Sequence, residues 1–444
     1  MQIPLSKIAR HLSLPCTSEL PIQNFQIDSR RISCGSLFFA LKGKKSDGHS
    51  FLGEAKARGA VAAVVEKGYS GETHGLQLLP APSVLESLQL LARQELQKRN
   101  CRVIGITGSS GKTTTKEWLF SLLSGTLRIG KSPENYNTQL TLPLSILNSR
   151  GDEEWLVLEM GMSNPGELTQ LISIAPPTIA LLTGVALAHA SSFPGGWREI
   201  AREKATIFSS PRLSCAFYPK ELDLSPEITT AIRTKSITFS AEKKEADYFL
   251  SPQGLFLNGI HSYTLPISFQ EPHLRQNLAL AIAVAMELGV LWENISEKIP
   301  MLEQIAGRGN RWEKEGILYI DESYNANPAS MRAAFIAASS LQVSGRRIAL
   351  LGSMLSLGSF SEKCHKELGE LAICHFDCLF GIGEELAPLI ETFGKSNKET
   401  ALFSSHEELA AHVRTLKKPG DLILVKGSRS MEMERLFPLL AKTL

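Results

Sequence analysis

A short apolar run in the middle of the chain leads into a turn of glycine and hydroxyl residues. Residues 103–106 are apolar, and a run of this length bounded by turn residues predicts a buried strand. The turn that follows contains Gly108 and Gly111 and leads to Lys112 and Thr113. The pattern therefore predicts a strand, a glycine-rich turn and the start of a helix, in that order.

The first hundred residues show the alternation of a small α/β unit. The predicted elements are strands at 36–41 and 60–65 and helices at 51–58 and 83–99. The second helix begins with a capping box of Ser83 and Glu86. Its apolar stripe consists of Leu85, Leu88, Ala92 and Leu96. We expect a first domain at 1–99, which this helix joins to the next domain.

Two further apolar runs predict strands of a parallel sheet that end in candidate ligands. Residues 155–158 lead to Glu159, and residues 179–183 lead on to His189. Ligands of open parallel sheets lie beyond the carboxyl ends of the strands, so both side chains are placed to face a bound nucleotide and to complete a Mg²⁺ shell. A solvated strand end and an ordinary loop histidine are the alternative interpretations.

Two helices complete this central region. A charged helix at 198–208 carries Lys204, and its charges are typical of a solvated face. A long apolar helix at 273–288 contains Asn277 as a polar insertion, which is compatible with a hydrogen bond to a base. We expect a central domain at 100–310.

The last part of the chain alternates strand and helix patterns. Strands are predicted at 316–321, 347–351, 377–382 and 421–425, with a further one at 400–403. Helices are predicted at 328–341, 361–375, 384–393 and 405–416, with one more near the C-terminus. The alternation predicts a doubly wound parallel sheet in a third domain at 311–444. The fold class is thus α/β in three domains, and the last domain is expected to supply a second substrate's site.

Composition narrows the class of protein. The 444 residues are 21% charged with a formal net charge of +2, which gives no reason to expect nucleic acid or an anionic membrane as a partner. The longest apolar run, residues 278–286, is far shorter than the roughly 20 residues of a membrane span. The chain start lacks a signal-peptide core and the seven cysteines form no framework, so we expect a cytoplasmic location.

The glycine-rich turn carries the most specific chemistry. Small residues let backbone N–H groups close around a phosphate, and a helix N-terminus adds partial positive charge. Lys112 can reach the terminal phosphates, and the Thr113 hydroxyl can ligate Mg²⁺. The sequence therefore predicts binding of ATP and Mg²⁺, with an ordinary glycine turn as the alternative, and transfer or hydrolysis of a phosphoryl group. The acceptor is not readable from the spacing.

Taken together, the motifs of all three regions resemble the Mur ligase family, the ATP-dependent amide ligases of bacterial cell-wall synthesis. The YNANP and KGSRSM stretches are the most specific of them. The stretches that carry the resemblance are DSRRISCGSLFFALKGKKSDGHSF in the first region, GITGSSGKTT, ENYN, LEMGM and NPGEL in the second, and GRG, IDESYNANPASM and DLILVKGSRSMEME in the third.

The resemblance implies a reaction. ATP phosphorylates the terminal carboxylate of UDP-N-acetylmuramoyl-tripeptide, and the amine of D-alanyl-D-alanine displaces phosphate from the resulting acyl phosphate. It also implies a monomer with small-molecule partners, no nucleic acid and no insertion in a membrane. A sibling ligase that adds another amino acid, and a nucleotide-driven switch that forms no amide, are the alternative hypotheses.

The resemblance also implies roles for individual residues. The catalytic residues are Lys112, Glu159, His189 and Lys204. The metal ligands are Thr113, Glu159, His189 and Lys204, the last as a carbamate. The ATP-binding residues are Thr107, Gly108, Ser109, Ser110, Gly111, Lys112, Thr113, Thr114, Asn277, Arg308 and Asp321. The substrate-binding residues are Ser29, Arg30, Lys42, Gly43, His49, Asn135, Asn137, Asn325, Asn327, Lys426, Ser428 and Arg429.

A few positions depart from the family pattern. Thr138 and Thr141 stand in place of asparagine and glycine, and Asn164 in place of a frequent histidine. Ser353 and Ser356 replace acidic residues of the third region. Loss of a carboxylate at Ser353 affects the expected contacts of the C-terminal substrate side and leaves the phosphoryl-transfer residues unchanged.

Overall fold

Three sheets of mainly parallel strands organise the chain, and we call them the N-terminal, central and C-terminal sheets. The computed structural model describes residues 2–43, 46–265 and 271–441. Helices cover the sheets, so the α/β class predicted from the sequence is confirmed. The residue limits of the three predicted domains stay a prediction.

The N-terminal region is a small parallel α/β layer. Its elements are β1 (Ile3–Pro4), α1 (Leu5–His11), β2 (Pro21–Ile22), β3 (Asn24–Gln26), β4 (Ser36–Phe39), α2 (Leu52–Ala57), β5 (Ala60–Glu66), β6 (Gln77–Ala81) and α3 (Val84–Arg99). Within the described residues β3, β4, β5 and β6 pair in that order as parallel strands.

Helix α3 begins as predicted but packs on a slightly different face. The Ser83 side chain accepts a hydrogen bond from the Glu86 N–H at 3.2 Å, which confirms the Ser83 half of the predicted capping box. The buried positions include Val84, Leu88 and Leu91, whereas Leu85 is only half-buried. The predicted stripe was therefore wrong at Leu85, because positions 84, 88 and 91 share one helical face and position 85 lies at its edge.

The central region is built on the largest sheet. Its elements are β7 (Arg102–Thr107), α4 (Lys112–Leu123), β8 (Ile129–Lys131), α5 (Thr141–Leu147), β9 (Trp155–Glu159), α6 (Glu167–Ile174), β10 (Ile179–Leu182), α7 (Trp197–Ala205), β11 (Cys215–Pro219), α8 (Pro226–Thr229), β12 (Lys235–Ser240), β13 (Tyr248–Ser251), β14 (Gly254–Leu257), β15 (Ile260–Tyr263), α9 (Pro272–Glu287) and α10 (Trp292–Lys298). Across the described residues the order is β15-β14-β13-β12-β11-β10-β7-β9-β8.

Alternation along the inner strands places this sheet between two apolar layers. Ile104 and Ile106 of β7 pack with α4 and α9, whereas Val103 faces the opposite layer, which contains α3, α5 and α6. Successive side chains of a strand point to opposite faces of a sheet, so β7 is buried on both faces. The sequence analysis predicted β7, β9 and β10, and it missed β8 and β11–β15.

The C-terminal region confirms the predicted doubly wound sheet. Its elements are β16 (Asn310–Lys314), β17 (Ile317–Glu322), α11 (Pro328–Ser340), β18 (Arg347–Gly352), α12 (Ser361–His375), β19 (Cys378–Ile382), α13 (Ala387–Gly394), β20 (Glu399–Phe403), α14 (His406–Leu416), β21 (Leu422–Lys426) and α15 (Leu436–Leu440). The described strands lie in the order β16-β17-β21-β18-β19-β20, and β16 alone among them runs antiparallel to its neighbour.

The apolar helices of this protein pack against the three sheets and form their hydrophobic cores. Among the helices of the described residues, none combines the length and the apolar composition needed to cross a lipid bilayer.

Candidate active site

The turn between β7 and α4 is the predicted phosphate-binding loop, and its surroundings require its glycines. Gly108 has φ +149°, and a Cβ there would lie 1.9 Å from Thr183 Oγ1. Gly111 has φ +80°, and a Cβ there would lie 2.3 Å from Asn277 Oδ1. The loop thus lies against the ends of β10 and α9. Its backbone closes tightly at the N-terminus of α4, as an anion site needs.

Lys112 and Thr113 occupy the first turn of α4 and contact the loop and the end of β9. Lys112 Nζ donates a hydrogen bond to Gly108 O at 2.8 Å, so the ammonium lies across the loop. Burial lowers the pKa of Lys112, and the Glu159 carboxylate opposes that change. Thr113 Oγ1 donates to Glu159 Oε2 at 2.8 Å and accepts from Arg308 at 3.1 Å.

Glu159 is a buried carboxylate held from two sides. It ends β9 beside β7 and is 2% exposed. Besides Thr113, Asn137 Nδ2 donates to Glu159 Oε1 at 2.8 Å. An unpaired buried carboxylate is costly, and these donors fix its orientation toward the loop. The solvated strand end considered from the sequence is therefore wrong.

His189 and Lys204 add nitrogen groups to the same region. His189 lies in the left-handed region with φ +58°. Burial and the charges of Lys112 and Lys204 lower the pKa of His189 to about 4, against the effect of Glu167. Its ring is therefore neutral at pH 7 and keeps a lone pair. Lys204 is 2% exposed on α7, and burial, followed by the Lys112 charge, lowers its pKa well below the ordinary value. The solvated face considered for Lys204 is wrong.

A cavity of about 610 Å³ joins these residues to the carboxyl edge of the C-terminal sheet. The predicted site residues that line it are Ser109, Ser110, Gly111, Lys112, Thr113, Thr114, Asn135, Asn137, Glu159, His189, Asn277, Arg308, Asn325, Asn327, Lys426 and Arg429. Thr107, Gly108, Lys204, Asp321 and Ser428 are not among its lining residues. Parallel strands of two sheets thus bring their carboxyl ends to one cleft, where ligands of such folds bind.

The C-terminal wall of the cleft is an ordered polar network. Lys426 Nζ donates to Glu322 Oε2 at 3.1 Å and to Asn325 O at 3.0 Å. Asn325 Oδ1 accepts from the Arg429 N–H at 3.3 Å. Asn327 caps α11, and its Nδ2 donates to Ser109 O of the phosphate loop at 3.4 Å. The wall therefore touches the phosphate loop directly.

Several residues that line the cleft have no individual role assigned from the sequence. Glu322 and Tyr324 are two of them, and the Arg308 guanidinium lies 4.0 Å from the Tyr324 ring centroid. Asp321, which was selected, instead accepts hydrogen bonds from the Ser323 backbone and hydroxyl. Adjacent strand residues face opposite sides, so an alternation count along β17 could have separated Glu322 from Asp321. His273 and Glu167 also line the cleft.

The predicted sugar-nucleotide residues lie in loops and short turns of the N-terminal region, outside the cavity. Ser29 Oγ donates to Glu54 Oε2 at 2.7 Å, and Arg30 pairs with Asp28. His49 uses both ring nitrogens, with Nδ1 2.6 Å from Asp47 Oδ1 and Nε2 accepting from the Glu66 N–H at 3.0 Å. Lys42 and Gly43 are exposed next to this turn. Their binding role stays a prediction.

Two departures from the family pattern have visible local consequences. The Thr138 and Thr141 hydroxyls lie 3.0 Å apart, and the Thr138 N–H donates to Thr141 Oγ1 at 3.1 Å. The pair thus forms a local hydrogen-bonded turn just before and at the start of α5. The Ser353 hydroxyl is buried and has no hydrogen-bond partner among the described residues.

Comparisons with known proteins point to one family. Residues 21–94 match the Mur ligase family catalytic domain, residues 106–285 the Mur ligase middle domain, and residues 307–429 the Mur ligase glutamate ligase domain. The UDP-N-acetylmuramoyl-tripeptide–D-alanyl-D-alanine ligase of Synechocystis sp. is 30% identical over 94% of this chain and 91% of its own. The Bacillus subtilis ligase of the same name is 30% identical over 96% and 94%.

Solved structures agree with these relatives. The MurF crystal structure I from Acinetobacter baumannii superposes with a TM-score of 0.87 at 28% identity and covers 99% of both chains. The MurF ligase from Thermotoga maritima, in complex with ADP, has a TM-score of 0.78 at 31% identity and covers 94% of this chain and 97% of its own. The similarity therefore extends over all three sheets.

Proposed function

The chain belongs to the Mur ligase family, and from that premise we propose that it joins D-alanyl-D-alanine to UDP-N-acetylmuramoyl-tripeptide at the expense of ATP. Relatives with this activity in their names align over nearly the whole chain. The observation that carries the proposal is the cleft itself, in which the phosphate loop and the Asn325–Lys426 wall face each other. Two substrates can therefore meet beside one nucleotide.

The geometry supports a two-step amide synthesis. A carboxylate oxygen of the tripeptide attacks the γ-phosphorus, the bond to the β,γ-bridging oxygen breaks, and ADP leaves. The dipeptide amine then attacks the acyl carbon, phosphate leaves, and the amine loses a proton. Lys112 and Arg308 offset charge on the transferring phosphoryl oxygens, which is the main contribution a protein makes to this chemistry. The reaction needs a cleft that excludes water, because water would otherwise hydrolyse the acyl phosphate.

The residues around Glu159 fit Mg²⁺. A Thr113 hydroxyl, the Glu159 carboxylate and the neutral His189 ring converge on the phosphate loop, and Mg²⁺ is commonly held by one or two carboxylates together with substrate phosphates. In the described part of the chain, no group of three or more His, Cys, Asp or Glu side chains is placed to hold a metal alone. When bound with the nucleotide, the cation supplies charge neutralisation at the phosphates.

We assign the two remaining groups of residues to the two substrates. Ser29, Arg30, Lys42, Gly43 and His49 hold the sugar nucleotide on the N-terminal sheet. Asn325, Asn327, Lys426, Ser428 and Arg429 serve the dipeptide side, supported by their position in or beside the C-terminal wall. A monomeric state and a cytoplasmic location remain predictions.

Lys204 is expected to be carbamylated, because burial lowers the pKa of its amine well below the ordinary value and so favours the neutral form, which can attack carbon dioxide and release one proton. After incubation with carbon-13-labelled bicarbonate, nuclear magnetic resonance is expected to show a carbamate carbon in the wild type that Lys204→Met lacks. The same substitution is expected to lower kcat at least about tenfold, as loss of a metal-ordering group does.

Lys220→Met is the control for this experiment, since Lys220 pairs with Asp223 and its pKa is raised. It should keep the carbamate signal. Absence of the signal in the wild type would show that Lys204 is not carbamylated.

The function is tested by following ADP release with and without each substrate. We expect rapid release only when tripeptide and dipeptide are both present, and release at least about tenfold slower without the dipeptide, because the acyl phosphate is shielded from water. A nucleotide-driven switch would release ADP at the same rate without an amino acceptor, and a sibling ligase would respond to a single amino acid instead.

A further inference from the structure

A fully buried cation lies beside the site and has no role in the reaction described above. Lys116 is on α4, one helical turn after Lys112, and its side chain is 0% exposed. Its ammonium donates a hydrogen bond to the backbone oxygen of Glu134 and lies 3.2 Å from the Glu117 carboxylate. Apolar residues can replace buried ion pairs without loss of stability, so packing alone does not account for a lysine here.

The oxygen that Lys116 binds belongs to the loop that approaches Glu159. Glu134 has φ +43°, a conformation that residues with a β-carbon adopt rarely and that needs support from its surroundings. Three residues later, Asn137 donates from Nδ2 to Glu159 Oε1 at 2.8 Å, and its backbone oxygen accepts from the Gly161 N–H at 2.8 Å. The Glu134 backbone oxygen that Lys116 binds and the Asn137 side chain that contacts Glu159 therefore belong to one short segment.

The same segment is attached to the N-terminal sheet. The Arg31 guanidinium donates to both carboxylate oxygens of Glu134, at 3.3 and 3.2 Å, and to the Tyr136 hydroxyl at 2.8 Å. Arg31 directly follows Ser29 and Arg30 in the chain. The Arg31 and Glu134 side chains are exposed, and exposed ion pairs contribute little stability. The buried contact to Lys116 therefore contributes more to holding this segment in place than the exposed contacts of Arg31 do.

We propose that Lys116 is a positioning residue for the metal side of the phosphate site, because its bond to Glu134 O fixes the segment through which Asn137 orients the Glu159 carboxylate. The inference rests on the proposed function in one respect, namely that Glu159 meets a divalent cation brought by the nucleotide. Partners that orient a metal-binding carboxylate commonly affect metal affinity about as strongly as activity.

Binding of Mn²⁺ to the protein–ADP complex tests this role without turnover. The signal of free Mn²⁺ in electron paramagnetic resonance measures the affinity. We expect Lys116→Met to weaken Mn²⁺ binding about tenfold, the lower end of the usual effect of such a partner. ADP affinity without metal should stay unchanged, because the phosphate loop keeps its contacts. A purely structural role would instead lower the melting temperature and leave Mn²⁺ affinity as it is.

Lys131→Met is the matched control, since Lys131 also pairs with Glu117 but makes no contact with Glu134. It should retain wild-type Mn²⁺ affinity. Glu134→Pro keeps the test decisive if Lys116→Met does not fold. Proline at this exposed loop position fixes φ near −65° and so displaces the carbonyl that Lys116 binds. Glu134→Gly, which can adopt a positive φ, should bind Mn²⁺ more tightly than Glu134→Pro.

Unchanged Mn²⁺ affinity in folded Lys116→Met, or in Glu134→Pro, would overturn the inference. The outcome is independent of ligation. If the wild type formed no amide, the proposed function would be contradicted. If the substituted proteins nevertheless bound Mn²⁺ more weakly than the wild type, the positioning role of Lys116 would still hold.

Discussion

Replacement of Lys112 by alanine is expected to lower kcat at least about a thousandfold, or about 4 kcal/mol of transition-state stabilisation. The Lys112 ammonium lies across the phosphate loop, 2.8 Å from Gly108 O, and can move to the terminal phosphates when nucleotide binds. Catalysis of phosphoryl transfer depends on such fixed positive charge. The measurement is kcat at saturating ATP, tripeptide and dipeptide, together with the melting temperature.

Lys366→Ala is the control for loss of a lysine, because Lys366 pairs with Glu362 on the exposed surface of α12. It should leave kcat and folding near the wild-type values. If folded Lys112→Ala kept kcat within about tenfold of the wild type, the phosphate-loop assignment would be wrong.

Glu159→Gln is expected to lower kcat about a hundredfold and to raise the Mg²⁺ concentration needed for half-maximal rate. Glutamine keeps the shape of the side chain but loses its charge. Its amide hydrogens would also face Thr113 Oγ1 or Asn137 Nδ2, which now donate to the carboxylate. The measurement is kcat as a function of Mg²⁺ concentration.

Glu153→Gln is the matched control, since Glu153 is a buried carboxylate just before β9 that accepts hydrogen bonds from the Arg150 and Gly151 N–H groups. It lies away from the cleft and should affect stability rather than Mg²⁺ dependence. An unchanged Mg²⁺ requirement in Glu159→Gln would remove Glu159 from the metal site.

The elements that the sequence predicted best are those with strong local signals. The apolar run before Gly108 defines β7, and Asn327 followed by Pro328 marks the start of α11, where the Asn327 side chain caps the helix. Strand-end position correctly indicated that Glu159 and His189 face the cleft, because all strands of a parallel sheet present their carboxyl ends on one edge.

The missed elements are short or depend on tertiary packing. Strands β13, β14 and β15 have four residues each, too few for a clear period. A local signal was nevertheless present between β14 and β15, because Asn258 and Gly259 both have positive φ and such a pair is typical of a hairpin turn. The bond from Lys116 to Glu134 O joins α4 to a loop 18 positions later, a contact that no local pattern indicates.

Neighbouring residues of a strand end can be candidates for the same position in a site. Asp321 and Glu322 are adjacent carboxylates, and only the direction of each side chain from β17 decides which one lines the cleft. The fold engages both ring nitrogens of His49. Such contacts come from the packing of separate segments and cannot be read from residue type alone.

The proposed ligase reaction is tested most directly by mass spectrometry of the product formed from ATP, Mg²⁺, UDP-N-acetylmuramoyl-tripeptide and D-alanyl-D-alanine. We expect a UDP-linked pentapeptide that forms with the dipeptide and not with free D-alanine or L-amino acids. Folded protein that binds ADP but forms no amide with the dipeptide, or that adds a single amino acid instead, would contradict it.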